Sequence, residues 1–96
     1  MLIKIKRLVI ENEGYSRKIH LEAMYINKQN IVSIVDYSGV NEFLLRENSS
    51  YSDDQFSLVK INEGNDISEI IAYGSAESIF TAHEKQDLSG KQLLSD

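Results

Sequence analysis

His20 and His83 are the only histidines, and the chain has no cysteine. Without a thiol there is no disulfide framework, thiolate zinc site or thiol nucleophile. His20 stands two residues from Glu22. On a strand that spacing puts imidazole and carboxylate on one face, the minimum arrangement for acid–base work. A single His beside a Glu on a half-exposed strand is far more often a solvated pair, so it receives no catalytic role. His83 falls near the end of an expected helix, where the dipole favours its cation, and a structural role accounts for it.

Acidic residues gather at Asp53-Asp54 and at Glu63 and Asp66. Calcium loops need oxygen ligands at alternate positions around an obligatory glycine, and Asn62-Glu-Gly-Asn-Asp66 does not reproduce that spacing. Turn formation explains it better. The five glycines are scattered singly, which leaves no phosphate-cradling loop. No Gly-x-Ser-x-Gly or His-Glu-x-x-His pattern is present. The residues therefore point to a non-enzymatic protein with no cofactor and no metal site.

Basic groups offer a second chemistry. Lys4, Lys6, Arg17, Lys18 and Lys28 lie within the first thirty residues, with Tyr15 and Tyr25 available to stack on bases. A basic N-terminal hairpin of this kind is the alternative reading, a nucleic-acid-binding module. The net charge of −5 weighs against it, because affinity for nucleic acid comes largely from released counterions. Lys4 and Lys6 read more simply as charges on an edge strand that discourage sheet-to-sheet aggregation.

The net charge is unevenly spread. Residues 1–30 balance to +3 and the remainder to −8. Such a chain can dock head to tail or offer its acidic half to a basic partner, although a solvated surface is the commoner meaning. At 96 residues, 42% hydrophobic and 26% charged, the sequence is that of one small globular domain over residues 1–96. Charges sit inside the first apolar run rather than ahead of it, which is wrong for a signal peptide. No run nears the roughly 20 apolar residues that span a bilayer. The expected location is cytoplasmic, with no membrane contact.

These side chains must be positioned mainly by strands. Leu2–Ile10 alternates and then turns apolar on consecutive positions, which predicts a strand with a bulge or with both faces covered. Tyr15–Ile26 puts Ile19, Leu21, Ala23 and Tyr25 on one face and Lys18, His20, Glu22 and Met24 on the other. Asn27–Asn30 is a turn. Ile31–Tyr37 is the most β-branched segment, with apolar pairs suited to a strand covered on both sides, and reads as the centre of the sheet. Asn41–Arg46 reads as a short fourth strand, and residues 47–54 as the longest exposed loop with Tyr51 folding back. Gln55–Ile61 is a strand with a slip near Leu58–Val59, Asn62–Asp66 a hairpin turn, and Ile67–Tyr73 the last strand. Ser75–Lys85 has helical spacing at Ala76, Ile79, Phe80 and His83, with Ser75 as N-cap. The tail, residues 87–96, is expected to fray. The predicted fold is mainly β (α+β): an antiparallel curled sheet or small barrel of five to six strands, with one C-terminal helix.

Tyr25-Ile-Asn27, Ile31-Val-Ser-Ile34 and the close Ile70-Ile-Ala-Tyr-Gly-Ser-Ala-Glu-Ser-Ile79 follow one another in an order that resembles the small flagellar FlbD-type proteins. The same order is similar to short phage-encoded β proteins. The resemblance covers the central and C-terminal two-thirds. The chain departs from that pattern in its extra N-terminal strand, its polar loop at 47–54 and its lack of proline, so no functional residue is carried over. What the resemblance implies is a compact antiparallel sheet closed by a helix, in a class of accessory, non-catalytic proteins. The functional expectation is an accessory or regulatory protein acting through protein–protein contacts. Self-association would run through an open sheet edge or an exposed apolar face.

Overall fold

The computed structural model describes residues 1–81. Five strands form one antiparallel sheet: β1 (Leu2–Glu13), β2 (Ser16–Asn27), β3 (Ile31–Tyr37), β4 (Phe56–Asn62) and β5 (Ile67–Tyr73). Their spatial order is β2-β1-β5-β4-β3, and the sheet is open rather than closed into a barrel. Helix α1 (Asn41–Arg46) lies between β3 and β4, and residues 76–81 are helical. The sheet class and strand count match the sequence reading. The remainder of the expected C-terminal helix, with His83, and the tail at 87–96 lie outside the described residues.

Two hydrophobic clusters occupy opposite faces. Ile3, Ile5, Ile26, Val59, Ile61 and Ala72 form the first, joined by Met24, Ile31, Ile34, Ile70 and Ile79. Val40, Leu44 and Phe56 form the second, against Leu8, Ile19, Tyr37, Phe43, Tyr51 and Ile71. Ile5 and Leu8, or Phe56 and Val59, stand three apart in one strand and so point to opposite sides. This explains why β1 turns apolar on consecutive positions. Its register with β2 runs unbroken from Leu2↔Asn27 to Glu13↔Ser16, so there is no bulge; the covered face changes along the strand, from that of Ile3 and Ile5 to that of Leu8.

Residues 41–46 are helical, not a strand. Phe43-Leu44-Leu45 reads as a strand, but Val40, Phe43 and Leu44 have helical spacing and turn together onto the second cluster. The helix closes with a Schellman arrangement. Asn48 adopts φ 55°, its N–H reaches the Leu45 carbonyl at 3.0 Å, and the Ser49 N–H reaches the Leu44 carbonyl at 2.9 Å. The Asn41 side-chain amide donates to the carbonyls of Ser52 and Asp54, both at 2.8 Å, and this organises the polar loop. Tyr51 does fold back, meeting Tyr73 edge-on at 6.3 Å.

Two further expectations are corrected. The slip foreseen near Leu58–Val59 is absent, for β4 pairs regularly with β5 from Phe56↔Tyr73 to Asn62↔Ile67. The irregularity lies instead in β3, where the register with β4 shifts between Ile31 and Ser33. Nor is β3 the central strand: it is an edge, and β5 is central. Ser75 does cap the helix at 76–81, its Oγ accepting from the Ser78 N–H at 3.1 Å.

Candidate protein-interaction edge

The site begins at the turn joining β1 to β2. Gly14 takes φ +65° while Tyr15 keeps a negative φ, and the turn has only these two central residues. Glycine in the first central position is the type II′ solution, whose twist matches that of the flanking strands. Glu13 and Ser16, the closing pair of this two-residue hairpin, exchange both ladder hydrogen bonds. Bonding then alternates along the unbroken register. Even-numbered residues of β2 turn their N–H and C=O toward β1, and Arg17, Ile19, Leu21, Ala23 and Tyr25 turn theirs to the outer side. Among the described residues no strand lies there.

The edge is held at its start by Arg17. Its guanidinium pairs with Glu47 just beyond α1, donates to the Asn12 side chain at 3.2 Å, and stacks over the Phe43 ring at 5.4 Å. Ile19 and Leu8 press onto the same second cluster. At the other end Met24 and Ile26 turn into the first cluster, and Asn27 caps a one-turn 3-10 helix (Lys28–Asn30). The two ends of β2 are thus buried on opposite faces. Tyr25, on the face expected to be covered along the whole strand, is 64% exposed.

Few of the basic candidates converge. Lys4 and Lys6 lie on one face of β1, opposite Tyr25 and Ala23 of β2, and form one small group with Tyr25. Because β1 is interior, flanked by β2 and β5, the two lysines are not edge charges. Arg17 is engaged as described. Lys18 sits on the other face, opposite Glu11. Tyr15 projects fully from the hairpin tip. Lys28 is at the far end, where its backbone N–H bonds the Met1 carbonyl at 2.9 Å. Tyr15 and Lys28 are separated by the strand's length, about 40 Å at ~3.4 Å per residue.

His20 and Glu22 share a face, but the Glu22 carboxylate is taken by Arg7 at 3.0 Å. Nδ1 of His20 is buried without a hydrogen-bond partner. Neither residue lines the pocket of about 280 Å³ between Asp36, Tyr37, Asn41, Asp54 and Phe56, nor the apolar one of about 200 Å³ between Ile3, Ile31, Ile34, Ile79 and Phe80. Beside the first pocket, the negative charge of Asp54 raises the Tyr73 hydroxyl above its ordinary value near 10. Partial burial and a hydrogen bond to Asp54 add to the effect. Among the described residues no three His, Asp or Glu side chains are grouped to hold a metal ion. No helix there is long and apolar enough to cross a membrane.

Comparison with family models, with curated proteins and with solved structures found no match. The edge position of β2 was not read from the sequence. The available signal was the tight Glu-Gly-Tyr turn, which makes β1 and β2 partners and leaves β2 one side to fill.

Proposed function

We propose that this chain is a non-enzymatic accessory or regulatory protein that acts through protein–protein contact, by adding a strand to its sheet along β2. The observation that carries this reading is the unbulged outer edge of twelve residues, Ser16–Asn27, unpaired among the described residues. Five residues there direct backbone donors and acceptors outward, the arrangement that recruits an extended strand. Exposed Leu2 and Tyr25 at one end and Ile10 and Tyr15 at the other widen the contact with apolar and aromatic surface.

A photo-crosslinking side chain at Ala23, in cells that express the protein, tests this. Adducts are expected at position 23 and not from the same group at Val32 on the opposite edge. Equal capture at both positions, or none at 23, would remove the basis for the reading.

A further inference from the structure

We infer that the strand added along β2 is β2 of a second copy of this chain, antiparallel, with the two-fold axis passing between the two His20 residues. This rests on the reading of β2 as the interaction edge and names its partner.

Backbone geometry restricts the choice. Outward-facing residues of one copy must meet outward-facing residues of the other, so only registers pairing odd with odd residues are allowed. Charge then discriminates among those near the middle of the strand. Centring on Glu22 opposes two carboxylates. Centring on Ile19 sets Lys18 against His20. Centring on Leu21 sets His20 against Glu22 but leaves Lys18 opposite Met24, Arg17 opposite Tyr25 and Ile19 opposite the small Ala23.

Centring on His20 pairs Lys18 of each copy with Glu22 of the other, and Ile19 with Leu21. Both contacts occur twice by symmetry. Within one chain Lys18 already stands opposite Glu11, and Glu22 opposite Arg7. The assembled sheet would therefore carry two rows, Glu11, Lys18, Glu22 and Arg7 in that order, alternating in sign across four strands. On the other face Ile10, Ile19, Leu21 and Leu8 would align as an apolar row, again twice by symmetry. Opposite charges and apolar pairs set directly across a ladder stabilise it, and like charges destabilise it. Only this register sets the strand's lysine against its one carboxylate, with Ile19 against Leu21 beside them.

Sedimentation of the wild-type chain from about 1 µM to about 1 mM is expected to show a reversible dimer, the range covering weak contacts. Lys18→Glu and Glu22→Lys change exposed residues. Each converts both cross-copy pairs to like charges, and each is expected to weaken its own dimer about tenfold. Mixing the two variants re-forms opposite pairs at both positions, so the heterodimer should be restored. With no native cysteine, His20→Cys provides a single thiol at the axis. The expected Cα separation of about 4.5 Å lies within disulfide reach, so a disulfide dimer should form on mild oxidation. Ala23→Cys is six residues out of phase with its own copy, about 20 Å away, and should not form one.

A strict monomer throughout, a dimer indifferent to both charge reversals, or equal disulfide formation at 20 and 23 would overturn the inference. If the chain is monomeric while a crosslinker at 23 still captures a strand of another mass, the second copy is overturned and the edge reading stands. Loss of capture at 23 removes both.

Discussion

β2 and β3 close the two ends of the same sheet, yet they offer different edges. β2 keeps its register with β1 over all twelve residues. β3 has seven, and one extra residue at Val32 breaks its ladder with β4. A bulge bends a strand and increases its local twist, so an approaching strand cannot follow it for long. The far end of β3 is tied down as well, since the Asp36 carboxylate accepts the Ala76 N–H at 2.8 Å where the helix at 76–81 begins. β2 carries no bulge and no proline, and its charges, Arg17, Lys18 and Glu22, are of both signs. The two edges thus differ in length, in regularity and in what ties their ends, and under the proposed function these differences decide which of them takes a strand.

The largest expected effect comes from removing what holds β2 against the body. Leu44 is fully buried under Phe56 and beside the α1 residues that meet Arg17 and Ile19. Leu44→Ala should cost about 2–5 kcal/mol in denaturant unfolding. Amide exchange should quicken more at His20 and Glu22, whose N–H groups face β1, than at Val35, whose N–H faces β4; uniform acceleration would show that the two edges are not separately supported. Next is the turn: Gly14→Val places a β-branched residue at φ +65°, at a cost of about 1–2 kcal/mol. The same equilibrium unfolding measures it, and a neutral result would mean that the hairpin tolerates another turn type.

Deleting Val32 should change stability by about 1 kcal/mol or less, within the usual range for exposed changes. It leaves Ile31 opposite Ile61 and Ser33 opposite Lys60, so every other side chain keeps its face. The regularised β3 edge should then accept strands too, and light scattering should reveal larger assemblies than the wild type forms. Unchanged scattering would show that the bulge is not what protects that edge.

The smallest effect is a titration. Asp54→Asn removes the carboxylate charge that raises Tyr73, whose ring resonances should then titrate nearer to 10. A raised phenol stabilises the fold below the unfolded value and loses that contribution as pH climbs through the folded one. The wild type should therefore lose slightly more stability than the variant above about pH 10. An identical titration in both proteins would remove the assigned cause.

Most strands were legible because alternation and turn residues are local signals, and β5 is found where Ile67–Tyr73 was expected. Strand position was not legible. Ile31-Val32 and Ile34-Val35 look like apolar pairs from a doubly covered strand. They arise because the bulge at Val32 shifts the alternation, which lets Ile31 and Ile34 share one face. Helix α1 was missed for a related reason: at six residues it is too short for its Val40, Phe43 and Leu44 spacing to outweigh three consecutive apolar residues. The edge site was only half visible. The complementary pattern of Lys18 and Glu22 is in the sequence, but its meaning depends on which side of β2 has no strand among the described residues. That is settled by the distant Arg7↔Ala72 pairing, which puts β5 on the other side of β1.

The Gly14 turn also has a consequence in time. Every β1–β2 contact is closed by a two-residue loop, whereas Arg7 must wait for Ala72. Hairpins close in about 1–10 µs, and contacts between distant segments carry a larger loop-closure entropy. A folding chain should therefore complete the Lys18–Glu22 edge before its core exists. Substitutions along the hairpin should slow folding, whereas those in β4 should mainly speed unfolding. Recognition of another strand could then precede folding, and two chains at high local concentration could begin to pair while each is still unfinished.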